Sequence, residues 1–324
     1  MAIQAFSAAA AEGRIGARVT GVITGFSVIA AIIAVGYALG WRGSLGEQGQ
    51  EVLSRLAFSV ATPALLFTTL AGADLSVLVS LPLVITALST FSTAGTFIAV
   101  GVLRRWDIGR TTIGALCSSY VNSGNLGIPI AVYVLGDASL VAPVLLLQQL
   151  VITPIALAVL DLSRPGARGP WWSRLTAPLR NPVVIGSLGG VAVAATGWQV
   201  PGGLFDPISL LGGMAVPAVL LAFGISLRGS NPPGRSPERG VVFLSVALKS
   251  VAQPVVAWLL GAFVFGLSGA VLFGVVVTSA LPAAQNLFTY AARYETSMTL
   301  ARESVLLSTI LAAPVIGVVA VLLG

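Results

Sequence analysis

Long apolar runs recur along the whole chain and are separated by short polar stretches. Most of these runs are close to the roughly 20 residues that a helix needs to cross the hydrocarbon core of a bilayer. The pattern predicts ten membrane-spanning helices, at residues 19–40, 56–73, 77–103, 111–135, 139–160, 182–200, 207–227, 240–266, 269–292 and 304–323. We therefore expect an all-α polytopic membrane protein whose first partner is the lipid bilayer.

The composition supports this interpretation and narrows the function. Hydrophobic residues make up 56% of the chain and charged residues only 9%, whereas a soluble domain carries roughly a quarter charged residues. The net charge of +6 comes from basic residues scattered through short loops, so we expect no nucleic-acid partner. The chain has no histidine and one cysteine, Cys117, inside an apolar run, so we predict no metal site, no cofactor and no disulfide. The N-terminal residues have no long apolar core, so we predict no cleaved signal peptide.

The basic residues also predict the orientation in the membrane. Of the 17 Lys and Arg residues, 14 fall in or beside the odd-numbered loops, two precede the first span, and Lys249 lies inside a span. Cytoplasmic loops carry the excess of Lys and Arg, so this face is predicted to be cytoplasmic. A ten-span protein in the cell (inner) membrane then has both termini on the extracytoplasmic side.

The two halves of the chain resemble each other. Residues 61–66 (ATPALL) match residues 215–220 (AVPAVL), and Pro154 and Pro314 lie 160 positions apart. We predict a 5+5 inverted repeat, with the first repeat at 1–162, a short cytoplasmic connecting loop at 163–181 and the second repeat at 182–324. Secondary transporters often have this architecture, with the solute site near the membrane midplane. The alternative is chance recurrence of proline in apolar helices.

Two spans contain residues that interrupt a helix at matched positions of the two halves. In span four these residues are Asn122, Ser123, Gly124, Asn125, Gly127 and Pro129, and in span nine they are Pro282, Gln285 and Asn286. Glycine costs about 1 kcal/mol and proline about 3 kcal/mol in a helix interior. Backbone groups freed in this way are tolerated at membrane depth only beside protein or a water-filled cavity.

The pair of breaks predicts a solute site. The N-termini of half-helices offer amide donors and a partial positive charge that suit a carboxylate. The side chains of Asn122, Asn125, Gln285 and Asn286 add directional donors and acceptors. Tight helix packing through small and amide residues is the alternative explanation.

Residues 120–130 (YVNSGNLGIPI) and 281–294 (LPAAQNLFTYAARY) resemble the two signature segments of the auxin efflux carrier family. That family belongs with the bile acid, arsenite and riboflavin transporters, and the likeness covers essentially the whole chain. It implies a scaffold domain from spans 1, 2, 6 and 7, and a transport domain from spans 3–5 and 8–10. The broken helices of spans four and nine would cross near the midplane.

The resemblance also implies a function. It indicates alternating-access transport of small organic anions, such as malate, malonate or auxin-like acids, held where the broken helices cross. The implied substrate-binding residues are Asn122, Ser123, Gly124, Asn125, Gly127, Gln285 and Asn286, with Pro129 and Pro282 setting the breaks. The long central cytoplasmic loop of the plant members is absent here, so regulation through that loop does not transfer.

Lys249 is the only lysine and lies well inside span eight. A charge at membrane depth costs about 2.5–3.5 kcal/mol on insertion scales, which marks it as a functional candidate. It would neutralise a substrate carboxylate, carry a proton, or brace exposed carbonyl groups at the breaks. Glu303, at the start of span ten, is either the partner of Lys249 or an interfacial charge, and the interfacial role is favoured.

Several alternatives remain at this point. An enzyme is disfavoured because the sequence offers no histidine and no pair of acids at mid-membrane. A channel would favour a symmetric pore, and a receptor would bind without flux. A sodium-coupled symporter of the bile-acid type shares the fold, so the coupling ion, proton or sodium, stays open. A homodimer stays open as well.

Overall fold

The structure is a computed structural model that describes residues 27–28, 30–46, 48–72, 80–127, 130, 141–163, 181–228 and 234–323. Within these ranges the chain is almost entirely helical, and the one strand-like pairing joins Val121 to Ala283. The predicted break at Pro129, the first part of span one and most of the connecting loop lie outside the described residues. The side chain of Asn125 and the surroundings of Gly124 lie outside them too.

Eleven helices organise the described part of the chain. They are α1 (Ala30–Arg42), α2 (Gly49–Ala71), α3 (Leu81–Leu103), α4 (Ile108–Ser119), α5 (Gln148–Leu162), α6 (Pro182–Thr196), α7 (Gly202–Ser226), α8 (Arg239–Val264), α9 (Gly269–Ala280), α10 (Asn286–Arg293) and α11 (Met298–Leu323). A further helical segment, Ala142–Leu147, leads directly into α5.

Five of the described helices are long and apolar enough to cross a membrane, namely α2, α3, α7, α8 and α11. Four shorter helices, α1, α5, α6 and α9, are apolar as well. Large hydrophobic side chains such as Leu210 and Val321 point outward, as they do where the surrounding medium is lipid. The described chain is therefore that of a multi-pass, helical membrane protein. The count of ten spans and the inverted repeat stay predictions.

Polar residues mark the starts of helices between the apolar runs. The side chain of Asp107 accepts a hydrogen bond from the backbone N–H of Arg110 at the start of α4. Asn181 does the same for Val183 at the start of α6, where Pro182 occupies the first turn. Such caps satisfy amide groups that a helix leaves without intrahelical partners.

Three helices contain a π-helical turn directly before a Thr-Pro or Gln-Pro pair: Ala57–Ala61 in α2, Gln148–Ile152 in α5 and Leu248–Ala252 in α8. In each, the residue before the proline donates its N–H to the carbonyl five residues earlier. Proline has no N–H, and its ring presses on the carbonyl four residues back, so the helix widens locally. The turns in α5 and α8 carry the buried polar side chains of Gln148 and Lys249.

Small residues let α2 pack closely against α6 and α7. A Cβ atom at Gly186 would overlap the Pro63 carbonyl, and one at Gly190 would lie 2.6 Å from the Phe67 carbonyl oxygen. Without a hydrophobic driving force between helices in lipid, such close backbone approach is a main source of helix association.

A second set of helices packs around the interrupted helices α4 and α9. α3 contacts α4 and α8, α9 contacts α8 and α11, and α4 contacts α8 and α11. α10 contacts both sets, since it touches α2 and α7 as well as α4 and α11. The division into a scaffold domain and a transport domain stays a prediction.

Candidate functional site

Two helices end inside the protein and continue as extended segments. α4 ends at Ser119, after which Tyr120 has an extended backbone, and α9 ends at Ala280, after which Leu281 is no longer helical. These interruptions fall in the stretches that contain Asn122 and Pro282. The helical path of predicted span nine resumes only at Asn286, where α10 begins.

The two extended segments pair with each other. Val121 and Ala283 form an antiparallel bridge, in which the N–H of Asn122 donates to the Pro282 carbonyl at 2.8 Å. The N–H of Ala284 donates to the Tyr120 carbonyl at 3.3 Å. We call residues 120–123 and 281–286 the junction. The pairing satisfies backbone groups that would otherwise be costly at membrane depth.

Side chains from two further helices complete the backbone hydrogen bonding of the junction. The Gln148 side chain, in α5, donates to the Val121 carbonyl at 3.0 Å. The Ser308 hydroxyl, in α11, accepts from the Ala283 N–H at 3.1 Å. A polar side chain from each of these two helices thus stabilises the bridge.

Asn122 and Gln285 connect the two segments through their side chains. The Asn122 Nδ2 donates to the Gln285 Oε1 at 2.6 Å, and both residues are buried. The Gln285 Nε2 has no hydrogen-bond partner among the described residues. An unpartnered buried amide costs free energy, so this group is available for a polar ligand or water.

A cavity of about 80 Å³ lies beside the junction. Asn122, Ser123 and Asn286 line it from the junction, together with Gln149 from α5, and Thr62 lines it from α2. Its remaining wall comes from Tyr120, Val121 and Ala284 and from apolar residues of α2 and α7, namely Leu65, Leu66, Ala215, Val216 and Val219. The site is a small, mainly apolar chamber in which a few polar groups converge.

Two of the lining side chains carry buried oxygen atoms without a partner in the described structure. These atoms are the Gln149 Oε1 and the Asn286 Oδ1. The Nδ2 of Asn286 donates to the Tyr290 hydroxyl at 3.2 Å, and the Tyr120 hydroxyl bonds the Thr153 hydroxyl at 3.0 Å. Two acceptor oxygens in the chamber wall therefore lack a partner among the described residues. The Asn286 amide nitrogen and the Tyr120 hydroxyl are already hydrogen-bonded.

Lys249 lies close to the junction but does not line the cavity. Its fully buried ammonium group donates to the Gln253 Oε1 at 2.7 Å and to the Ser279 carbonyl at 2.8 Å. Gln253 in turn donates from Nε2 to the Ser119 carbonyl at 2.9 Å and to the Thr90 hydroxyl at 3.2 Å. Lys249 therefore contacts a carbonyl group at a helix break, as the bracing role considered from the sequence requires.

Sequence reasoning did not single out Gln253 and Thr90. Gln253 could have been found, because it lies one helical turn after Lys249 and directly before Pro254. Thr90 carries no comparable signal, since hydroxyl residues are frequent along α3. Its role appears only when α3 and α8 are packed together.

The other predicted site residues fall into two groups. Ser123 and Asn286 line the cavity, Pro282 contributes its carbonyl to the bridge, and the Gly127 N–H donates to the Asn122 carbonyl at 2.9 Å. The side chain of Asn125, the surroundings of Gly124 and all of Pro129 lie outside the described residues. Glu303 is buried, and its carboxylate accepts from the Gly234 N–H and the Ser236 hydroxyl, which lie in the loop before α8; its interfacial position stays a prediction.

Larger cavities lie elsewhere in the described chain. One of about 360 Å³, between α2 and the end of α10, is lined by charged residues that include Glu51, Arg55 and Arg293, but by no residue of the junction. Two others are mainly apolar. One of about 800 Å³ lies between α2 and α7, and one of about 690 Å³ lies between α8 and α11. Both are lined mostly by aliphatic residues on helix faces of a membrane protein, where lipid chains would fill them.

Apolar membrane helices, paired helix interruptions and a small chamber with a few polar groups beside them are the features expected of a membrane transport protein. The chain matches the family described as "Membrane transport protein" over residues 22–167 and 173–320, and it belongs to that family. The resemblance of the two signature segments to the auxin efflux carriers is thereby confirmed.

Two relatives have names that concern transport. An "Uncharacterized transporter" of Methanothermobacter thermautotrophicus is 29% identical over 201 residues, which are 60% of this chain and 65% of that protein. The match thus spans just under two thirds of that relative's length. A "Putative malonate transporter" of Rhizobium meliloti is 25% identical over 288 residues, which are 85% of this chain and 84% of that protein.

Proposed function

We propose that the protein is a secondary carrier of small organic anions that works by alternating access, with the solute held where the broken helices cross. The observation that carries the proposal is the small chamber beside the junction, in which a few polar groups converge near the buried Asn122–Gln285 pair. α10 begins at the same place with Asn286, and the partial positive charge of a helix N-terminus favours an anionic group.

The architecture we propose follows the family. α2, α6 and α7, with α1, would form the scaffold, and the helices around α4 and α9 would form the transport domain that moves against it. Both termini would lie on the extracytoplasmic side of the cell membrane, and two copies would associate as a homodimer. The close contact of α2 with α6 and α7 supports a rigid scaffold.

Malonate is the first solute to test, because one relative carries that word in its name. A small dicarboxylic acid also suits a small chamber better than a bulky sterol acid does. The runner-up, a sodium-coupled symporter of the bile-acid type, normally needs carboxylate oxygens for its ion. The described side-chain groups at the junction are amides and hydroxyls, which argues against it.

Uptake by the purified protein in proteoliposomes tests the proposal. We would compare labelled malonate, labelled malate and labelled indole-3-acetate, each with a proton gradient, a sodium gradient or no gradient. We expect saturable uptake by the wild type and about tenfold or greater loss in Asn122→Ala. Removing one partner of a buried hydrogen bond costs about 1–3 kcal/mol, and about 1.4 kcal/mol is tenfold.

The matched control is Gln199→Ala, which removes an exposed amide between α6 and α7 and should transport like the wild type. Binding of an anion by the wild type without any flux would favour the receptor instead. Flux that does not saturate and shows no counterflow would indicate a channel. If the protein took up only neutral or cationic solutes, the proposal that its substrate is an organic anion would be wrong.

A further inference from the structure

The amino group of Lys249 is buried and surrounded by uncharged oxygen atoms. Lys249 lies in the π-helical turn Leu248–Ala252 of α8, and its side chain has no exposed surface. Both described acceptors of its ammonium group, the Gln253 Oε1 and the Ser279 carbonyl, are neutral. The two ion pairs found among the described residues, Arg55 with Glu51 and Arg110 with Glu238, are elsewhere.

Lys249 is connected to the C-terminal ends of both interrupted helices, directly to one and through Gln253 to the other. The Ser279 carbonyl belongs to the last turn of α9, and Lys249 contacts it directly. The Ser119 carbonyl ends α4, and Gln253 carries the contact to it. A helix C-terminus bears a partial negative charge, so one ammonium group here serves two helix ends at once.

The orientation of the Gln253 amide follows from this arrangement. Because the Lys249 ammonium only donates, it must meet the Gln253 oxygen. The amide nitrogen therefore points away from Lys249 and donates to Ser119 and Thr90. All of these hydrogen bonds are therefore donated from Lys249 and Gln253 in α8, and their outer acceptors lie in α9, α4 and α3. The positive charge thus stays within this one set of helices.

No acid of the described chain is placed to neutralise this charge. Glu303, the buried acid among the described residues, lies near the start of α11, and its Oε2 accepts from the Gly234 N–H and the Ser236 hydroxyl of the loop before α8; it forms no ion pair with Lys249. Asp161 is engaged with the Tyr294 hydroxyl. Among the described residues the charge of Lys249 thus has no acidic partner, and a bound anion at the junction would supply the compensating negative charge.

We propose that Lys249 is a built-in counter-charge that takes the place of a coupling cation, so that the loaded transport domain is electrically neutral with a singly charged carboxylate. The inference rests on the proposed function, and it deepens it by naming the substrate class as a monoanion. The empty domain carries one positive charge when it returns. Sodium is unnecessary, because the ammonium group already occupies the oxygen-lined position between the helix ends.

Homoexchange of labelled malonate in proteoliposomes isolates the loaded step from the empty return. It is measured at mildly acidic pH, where malonate carries mainly one negative charge, under potassium diffusion potentials set with valinomycin. For the wild type we expect exchange without sodium and with no dependence on the membrane potential. Lys249→Arg keeps the charge and should retain this insensitivity, even if its rate is lower.

Lys249→Met removes the charge and keeps most of the side-chain volume. Its loaded domain would carry one net negative charge, so exchange should slow when a potential of either sign biases the domain to one side. Moving one charge through 100 mV corresponds to about 2.3 kcal/mol, an effect of up to roughly 40-fold. A merely structural role of Lys249 would lower the exchange rate equally at every potential.

The outcomes separate the two proposals. Absence of malonate, malate or indole-3-acetate exchange in the wild type would overturn the proposed function itself. Wild-type exchange that depends on potential, or on sodium, would overturn the counter-charge alone. The same holds if Lys249→Met exchanges without any dependence on potential. If Lys249→Met fails to fold, Lys249→Gln removes the same charge, and its dependence on potential is compared with that of Lys249→Arg.

Discussion

At the scale of single residues, the junction depends on a side-chain pair with no near neighbour in the sequence. Asn122 and Gln285 are 163 positions apart and meet at 2.6 Å in a buried setting. In such surroundings a hydrogen bond is strong and an unpaired amide is costly. The pair therefore does two jobs at once: it links the two interrupted helices, and it lies beside the chamber proposed for the solute.

A double-mutant cycle tests whether the two amides act as one unit. Asn122→Ala and Gln285→Ala should each lower the apparent unfolding temperature in mild detergent, because each removes the buried hydrogen bond between the two amides. The double variant should fall no further than the worse single variant, since the second change then removes no additional bond. Fully additive shifts would contradict a direct coupling, and Gln199→Ala, an exposed amide, should leave the temperature unchanged.

At the scale of helices, two local devices shape the protein. Proline directly after threonine or glutamine widens three helices into π turns, two of which carry Gln148 and Lys249. Glycine allows α6 to approach α2 until backbone touches backbone. The π turns of α5 and α8 place Gln148 and Lys249 in the protein interior. The glycines of α6 have no side chain to separate α6 from α2.

A matched pair of glycine substitutions separates packing from helix propensity. Gly186→Ala should lower the apparent unfolding temperature and the yield of monodisperse protein, because its Cβ would overlap the Pro63 carbonyl. Gly95→Ala, in α3, meets nothing within 4 Å and should be neutral or stabilising. Size-exclusion chromatography and thermal unfolding of both variants check this. Equal behaviour of the two would argue against close α2–α6 packing.

At the scale of the whole molecule, the distribution of basic residues predicts which face meets the cytoplasm. The turn after α1 contains Ser44 and lies in the first odd-numbered loop, whereas Gln199 lies in the loop between α6 and α7. Both residues are exposed. They therefore serve as reporters for opposite faces of the membrane.

Cysteine labelling in right-side-out vesicles tests the orientation. The buried Cys117 is first replaced by serine, and Ser44→Cys and Gln199→Cys are then made singly. An impermeant maleimide should label the cysteine at position 199 in intact vesicles and the one at position 44 only after permeabilisation. The reverse pattern would invert the topology, and labelling of both in intact vesicles would contradict the predicted span count.

The sequence by itself determined what depends on local chemistry. Hydropathy over some 20 residues indicated membrane helices, and α2, α3, α7, α8 and α11 are apolar helices of spanning length. The amide, glycine and proline residues around Asn122 and Pro282 indicated where helical structure stops, because their effect on the backbone is local. The signature segments indicated the family, which the match along the chain confirmed.

Only the tertiary structure decided which of these groups meet. The Val121–Ala283 bridge and the link from Lys249 through Gln253 to two helix ends join positions far apart in the sequence. Hydropathy and propensity carry no information about partners at such separation, because many pairings satisfy the same local rules. What selects one pairing is the need to satisfy every buried backbone and side-chain polar group at once where no water is present.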